Sequence, residues 1–240
     1  MTNLRKLILP NLVYITDNDI IGLSSRLCSL SIGEFKESPS ITKEGWEHLF
    51  TRLTTLKFTY RNPFHIIEES NFPFDKLTRL KTLTLGGAAG VTERLVFLTC
   101  LRKLGIYGVY SDTEKLIWSN PNLTSLTIIS CTGSALHKID KNITLYRHCL
   151  TNLKHLSFDY LGGDKPSVDI FKCLYNLEDL VLGDTSSIDD TDLSYLTSLK
   201  TLLMTGYYDI SFTGETLPPI TKIYAGYKEC IRHPTKKYIM

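Results

Sequence analysis

Leu174-Tyr175-Asn176-Leu177-Glu178-Asp179-Leu180-Val181-Leu182 and, 22 residues on, Leu196-Thr197-Ser198-Leu199-Lys200-Thr201-Leu202-Leu203-Met204 share one frame, L-x-x-L-x-x-L-x-φ, with φ apolar. Working outward, the core of the frame, L-x-x-L-x-φ, recurs along the chain. Its central residue falls at Leu7, Leu30, Leu56, Leu83, Leu104, Leu126, Leu156, Leu180, Leu202 and Ile223, in steps of 21 to 30 residues. Three residues before each centre stands another apolar residue, from Leu4 and Leu27 through Leu199 and Ile220. Two residues after it stands a third, among them Leu9, Ile32, Phe58, Phe158, Leu182 and Met204. Self-similarity at a period of 20 to 50 residues is the mark of a repeat architecture.

Strand side chains alternate, so the centre and its partner two places on face one side and their neighbours face the other. A single short strand of this kind cannot bury its apolar edge. Stacked about 4.8 Å apart, ten of them make a parallel sheet backed by a continuous leucine core. The rest of each repeat returns the chain along the outside. Thr42 is the expected N-cap of a helix over residues 41–50, and a helix is expected over 112–119, stopped before Pro121. The longest step leaves room for a helical excursion over 135–150. Steps of 21 or 22 residues are expected to return by 3₁₀ or extended segments.

The frame resembles the leucine-rich-repeat superfamily, whose consensus begins L-x-x-L-x-L-x-x-N/C-x-L. The resemblance runs from about Leu4 to Tyr227, and Ile188 to Leu202 is similar to the short repeats of internalins. It implies an α/β leucine-rich-repeat solenoid, curved and right-handed. The parallel sheet would line its concave face; loops, 3₁₀ turns and short helices would cover the convex one. At the consensus Asn/Cys position this chain keeps only Cys131 and Thr185 as hydrogen-bonding types, which predicts irregular turns after the strands. No Pro/Gly/Ser-rich linker interrupts the repeats, so residues 1–240 read as one domain of about ten repeats. Residues 228–240 form a basic C-terminal cap.

The chain has 240 residues, 27 Lys plus Arg against 25 Asp plus Glu, and 42% hydrophobic residues. That composition excludes a disordered chain and a strongly basic nucleic-acid coat. The six cysteines are scattered without a C-x-x-C pair, and the apolar stretch before Pro10 is short for a signal peptide. Both observations predict a reducing, intracellular (cytoplasmic) setting, alone or within a larger assembly; the sequons at Asn122 and Asn142 point the other way.

No nucleophile elbow, Walker loop, zinc or calcium pattern occurs. Asp189, Asp190 and Asp192 read as a turn and helix N-cap, and Gly86 to Gly90 as a tight turn. The expectation is therefore a protein without enzymatic activity, cofactor, metal or small-molecule substrate.

What remains is a surface. One place after the centres stand Val181, Leu203 and Tyr224, three apolar neighbours at the end of a column that is otherwise mostly small or polar. Flanking columns supply Lys103, His155 and Asp179 before the centres, and Tyr107 and Asp159 three places after them. The resemblance implies protein binding, and these eight residues are the candidate contacts with another protein. Two further readings are a structural subunit of a virion or organellar complex, and a secreted effector or surface adhesin. Nucleic-acid binding would need aromatics interleaved with many more cations, and no apolar run is long enough to span a membrane.

Overall fold

The structure, a computed structural model, describes residues 3–11, 15–23, 26–34, 41–58, 73–86, 95, 97–107, 117, 119–132, 143–161, 168–183, 188–205, 218, 220 and 222–225. Of residues 112–119 only Ile117 and Ser119 are described, and 135–142 and the basic tail at 228–240 lie outside these residues. The chain forms two compact units, Met1–Asn120 and Pro121–Met240.

The first unit holds strands β1 (Lys6–Asn11), β2 (Ser29–Glu34), β3 (Thr55–Phe58), β4 (Thr82–Gly86) and β5 (Lys103–Tyr107). All four pairings are parallel, and the repeat centres meet one another: Leu7 with Leu30, Leu30 with Leu56, Leu56 with Leu83, Leu83 with Leu104. The second unit repeats the plan with β6 (Ser125–Thr132), β7 (His155–Leu161), β8 (Asp179–Leu182), β9 (Thr201–Met204) and β10 (Lys222–Ala225). Leu126, Leu156, Leu180, Leu202 and Ile223 fall in register there. One irregularity interrupts it: β6 bulges against β7 between Ile128 and Cys131.

Burial follows the alternation. Leu30, Leu56 and Leu83 are fully enclosed, as are Ile32, Phe58 and Leu85 two places on. Leu7 and Leu9 on the edge strand are only half-buried. Each coil is also tied to the next just before its strand. The carbonyl two places before a centre accepts from two N–H groups of the following coil. Cys28 and Ser29 donate to Arg5, Thr54 and Thr55 to Cys28, Lys154 and His155 to Thr124, and Glu178 and Asp179 to Lys154.

The return segments carry α1 (Asp17–Ile21), α2 (Lys43–Phe50) and a 3₁₀ turn (Phe74–Lys76) in the first unit. Thr42 caps α2 as its sequence predicts, accepting from the Gly45 N–H at 3.4 Å. The Thr42 N–H and hydroxyl in turn donate to the Asp17 carboxylate at 2.8 and 2.6 Å, tying α1 to α2. Trp46, Phe50 and Phe74 stack behind the sheet, with ring centroids 5.5 and 6.4 Å apart. The second unit carries α3 (Ile143–Leu150), α4 (Val168–Cys173) and α5 (Asp190–Ser194).

Helix α5 corrects one expectation. The 22-residue step from Leu180 to Leu202 returns by an α-helix, not by a 3₁₀ or extended segment. The reason is a capping box: the Asp189 carboxylate accepts from the Thr191 and Asp192 N–H groups at 2.9 and 3.2 Å. Asp192 reciprocates by accepting from the Asp189 N–H at 3.0 Å.

Turn hydrogen bonds sit elsewhere than the consensus suggests. Asn152 and Asn176, four places before their centres, each donate a side-chain N–H at 2.8 Å to a carbonyl of the preceding coil, Pro121 and Thr151. Asn120 breaks the apolar column formed by Leu77, Leu98, Leu150, Leu174 and Leu196 six places before the centres. It is fully buried, and its Oδ1 accepts from the Leu101 N–H at 3.1 Å. In neighbouring coils the corresponding N–H bonds the backbone instead, as Leu80 does to Leu77.

Candidate partner-binding face

The outward positions of β6–β10 place the predicted contacts side by side. Val181 on β8 lies opposite Leu203 on β9, which lies opposite Tyr224 on β10, so three successive strands present apolar residues at one height. Val181 and Leu203 are half-buried, a consequence of parallel neighbours standing about 4.8 Å apart and shielding one another's flanks. The Tyr224 side chain lies outside the described residues, as does that of Asp159 on β7. Ser157 continues the Val181 row onto β7, and Thr127 onto β6, where the surface turns polar.

One place before the centres, His155 and Asp179 are direct register partners. Their side chains meet, His155 Nδ1 to Asp179 Oδ2, at 2.5 Å and remain 52% and 39% exposed. Next to them runs a clamp that no single repeat foretells. Glu178 receives Lys154 at 3.0 Å on one oxygen and Lys200 at 2.6 Å on the other, so one carboxylate joins three consecutive coils. Those hydrogen bonds, Lys200's first and then Lys154's, hold the Glu178 carboxyl down to about 2, from an ordinary 4.5, and raise the Lys200 ammonium. The signal for it is the column two places before the centre, where an acid at 178 falls between lysines at 154 and 200.

This clamp has a pH signature. The folded-state pKa of Glu178 lies below its unfolded value, so its contribution to stability is complete above about pH 4.5 and fades as pH falls toward 2. Glu178→Gln is expected to flatten the stability profile across that window relative to wild type, as followed by urea melts at stepped pH. The exposed setting keeps the effect small and salt-sensitive, so it should shrink further in about 0.5 M salt. An unchanged profile would contradict the clamp.

Lys103 and Tyr107 occupy equivalent outward positions on β5, in the first unit, and both are exposed. Other polar groups of the second unit have structural roles. Asp189 and Asp192 cap α5, and His148 lies 3.2 Å from the buried Cys149 sulfur. Cys149 and Cys173 are enclosed and form no disulfide, and burial pushes the Cys149 thiol up to about 11. Cys100 is exposed. Among the described residues no helix is long and apolar enough to cross a membrane, and no group of His, Cys, Asp or Glu is arranged to hold a metal.

No protein-family model matches the chain, and no curated protein matches it in sequence. Solved structures do. A chain of the Toll–Spatzle complex of Drosophila is similar with a TM-score of 0.65 at 15% identity, over 91% of this chain and 30% of that one. Internalin C2 of Listeria monocytogenes is similar with a TM-score of 0.53 at 19% identity, over 88% of this chain and 84% of that one. The leucine-rich repeat-containing protein LegL7 of Legionella pneumophila reaches 0.45 at 13% identity, over 79% and 68% of the two chains. The present chain thus spans under a third of the Toll–Spatzle chain it matches. Together with the parallel, in-register leucine coils, the likenesses to the Toll–Spatzle chain and to internalin C2 define the fold: an α/β leucine-rich-repeat solenoid.

Proposed function

We propose that the protein is a non-enzymatic recognition module that captures another protein on the sheet face of β6–β10. The observation that carries this reading is the Val181–Leu203–Tyr224 row, apolar across three adjacent strands and flanked by charged groups already held in position. Apolar residues on an otherwise polar surface mark interfaces. A rim pre-ordered by the Lys154–Glu178–Lys200 clamp loses little side-chain entropy when a partner docks. Val181 and Leu203 anchor the partner in this reading, and His155 and Asp179 orient it. The likeness to a chain of the Toll–Spatzle complex supports the reading to the extent that a fold of this type takes part in a protein complex. We place its action in a reducing compartment, consistent with the enclosed thiols of Cys149 and Cys173.

A photo-crosslinking residue at position 203 tests the site. It should yield a covalent adduct with another protein in native extract, while the same residue at Asp169, exposed on α4, should not. Leu203→Asp and Val181→Asp should each weaken capture by about thirtyfold, the scale of losing an interface hot spot, with little change in thermal stability. Capture that survives both substitutions would put the interface elsewhere.

A further inference from the structure

The two units treat the same outward columns in opposite ways. In β6–β10 cations at the strand starts meet carboxylates: Lys154 and Lys200 bond Glu178 and the His155 ring meets Asp179, while Lys222 on β10 is exposed. In β1–β5 the strand starts carry Arg5, Lys6, Lys81, Arg102 and Lys103, and Lys57 stands one place after the centre of β3, in the column of Val181; all six are exposed. The described residues on the outward side of these five strands include no carboxylate. Arg5, Lys6, Lys57, Lys81 and Lys103 form no ion pair among the described residues. The carboxylates whose side chains are described in this unit stand on the return segments, Asp17 and Asp19 on α1, Glu44 and Glu47 on α2, and Asp75 in the 3₁₀ turn.

The fold does not ask for this segregation. Burial is complete without these side chains, and cations gathered on one face repel one another. We propose that the sheet face of β1–β5 is a binding surface for an extended acidic segment of a partner protein. The dimensions fit: five strands at about 4.8 Å spacing place the β1 and β5 cations about 19 Å apart, the length of about six extended residues. Between them stand Ser29, Ser31, Thr55, Thr82 and Thr84, half-buried hydroxyls on the same outward side that can donate to carboxylates. The choice of protein over nucleic acid follows from the aromatic content. Single-stranded nucleic acid is held by bases stacked on aromatic rings, and Tyr107 is the sole aromatic among the described outward residues of these strands. This surface is distinct from the Val181–Leu203–Tyr224 row, so the two proposals stand or fall separately.

Fluorescence anisotropy of a labelled, glutamate-rich peptide of about eight residues tests it with the full chain. The peptide should bind, and Lys57→Glu with Lys81→Glu should weaken binding by at least about tenfold. Lys43→Glu with Lys76→Glu, the same change in net charge on the return side, should leave it within about twofold. Lys57→Gln with Lys81→Gln keeps the test valid if charge reversal disturbs folding, and should still weaken binding. Equal losses from the two reversal pairs would reduce the attraction to net charge and overturn the proposal. Tighter binding of a thymidine oligonucleotide of equal charge would overturn the choice of partner, and so would absence of peptide binding.

Discussion

Leu56→Ala is expected to lower the stability of the protein by about 3 kcal/mol, and Leu7→Ala by less than about 1 kcal/mol, in urea melts. The two residues hold the same place in the repeat, and only their position in the stack differs. Leu56 is fully enclosed on the middle strand of the first unit, with Leu30 and Leu83 as register partners on either side. Leu7 is half-buried on the edge strand and has the single register partner Leu30. Each coil is stabilised by its neighbours, so a cavity in a central coil weakens two interfaces while one at the end weakens a single interface. Equal losses at the two sites would mean that the leucines do not form a stacked core.

Gly33→Ala is expected to be nearly as damaging, with a loss of about 2–3 kcal/mol, although it adds one methyl group. Gly33 on β2 lies alongside Pro10 on β1, in a stretch where Leu9 pairs Ile32 and Asn11 pairs Glu34. A Cβ at position 33 would collide with the Pro10 backbone, its Cα, carbonyl carbon and oxygen. Backbone held in a ladder cannot swing aside as a flexible side chain does, so the two strands must separate locally. Gly22→Ala provides the contrast. Gly22 ends α1 with φ −70°, and a Cβ there would meet only the Asn18 and Asp19 carbonyl oxygens, at 3.4 and 3.8 Å. That substitution should be neutral or stabilising by up to about 1 kcal/mol, because alanine restricts the unfolded chain. Comparable damage from both changes would contradict the Pro10–Gly33 approach.

The two cases show where sequence suffices. The leucine columns are legible because their spacing is imposed by the strand period and the length of one coil, so the register from Leu7 to Leu104 and from Leu126 to Ile223 follows once the frame is seen. Thr42 and Asp189 are legible as caps because a cap is a local device. Contacts between coils are harder to see. The carbonyls that receive Asn152 and Asn176 lie in the preceding coil, at distances in sequence that local patterns do not sample. Asn120 looks like the end of a helix before Pro121, and its role emerges only when it is set against the leucines that share its column. The β6 bulge leaves no mark in the apolar spacing, because it follows Ile128, the last core position of that strand.

The candidate face is legible to the same degree. Strand alternation alone places Val181, Leu203 and Tyr224 in one row and His155 beside Asp179. Their half-burial depends on neighbours supplied by other coils, as does the Lys154–Glu178–Lys200 clamp. The contrast between a rim where lysines meet carboxylates in one unit and a basic one without described carboxylates in the other appears only when charges are compared column by column.

Pairs of spin labels in the first unit, in a background freed of native cysteines, measure the central geometry directly. With one label at Lys6 and the second at Thr55, Thr82 or Lys103, separations should climb in even steps, near 10, 14 and 19 Å, the spacing of parallel strands laid side by side in chain order. Separations that fail to rise in that order, or a Lys6–Lys103 distance shorter than Lys6–Thr55, would contradict the stack on which the proposed basic face is built.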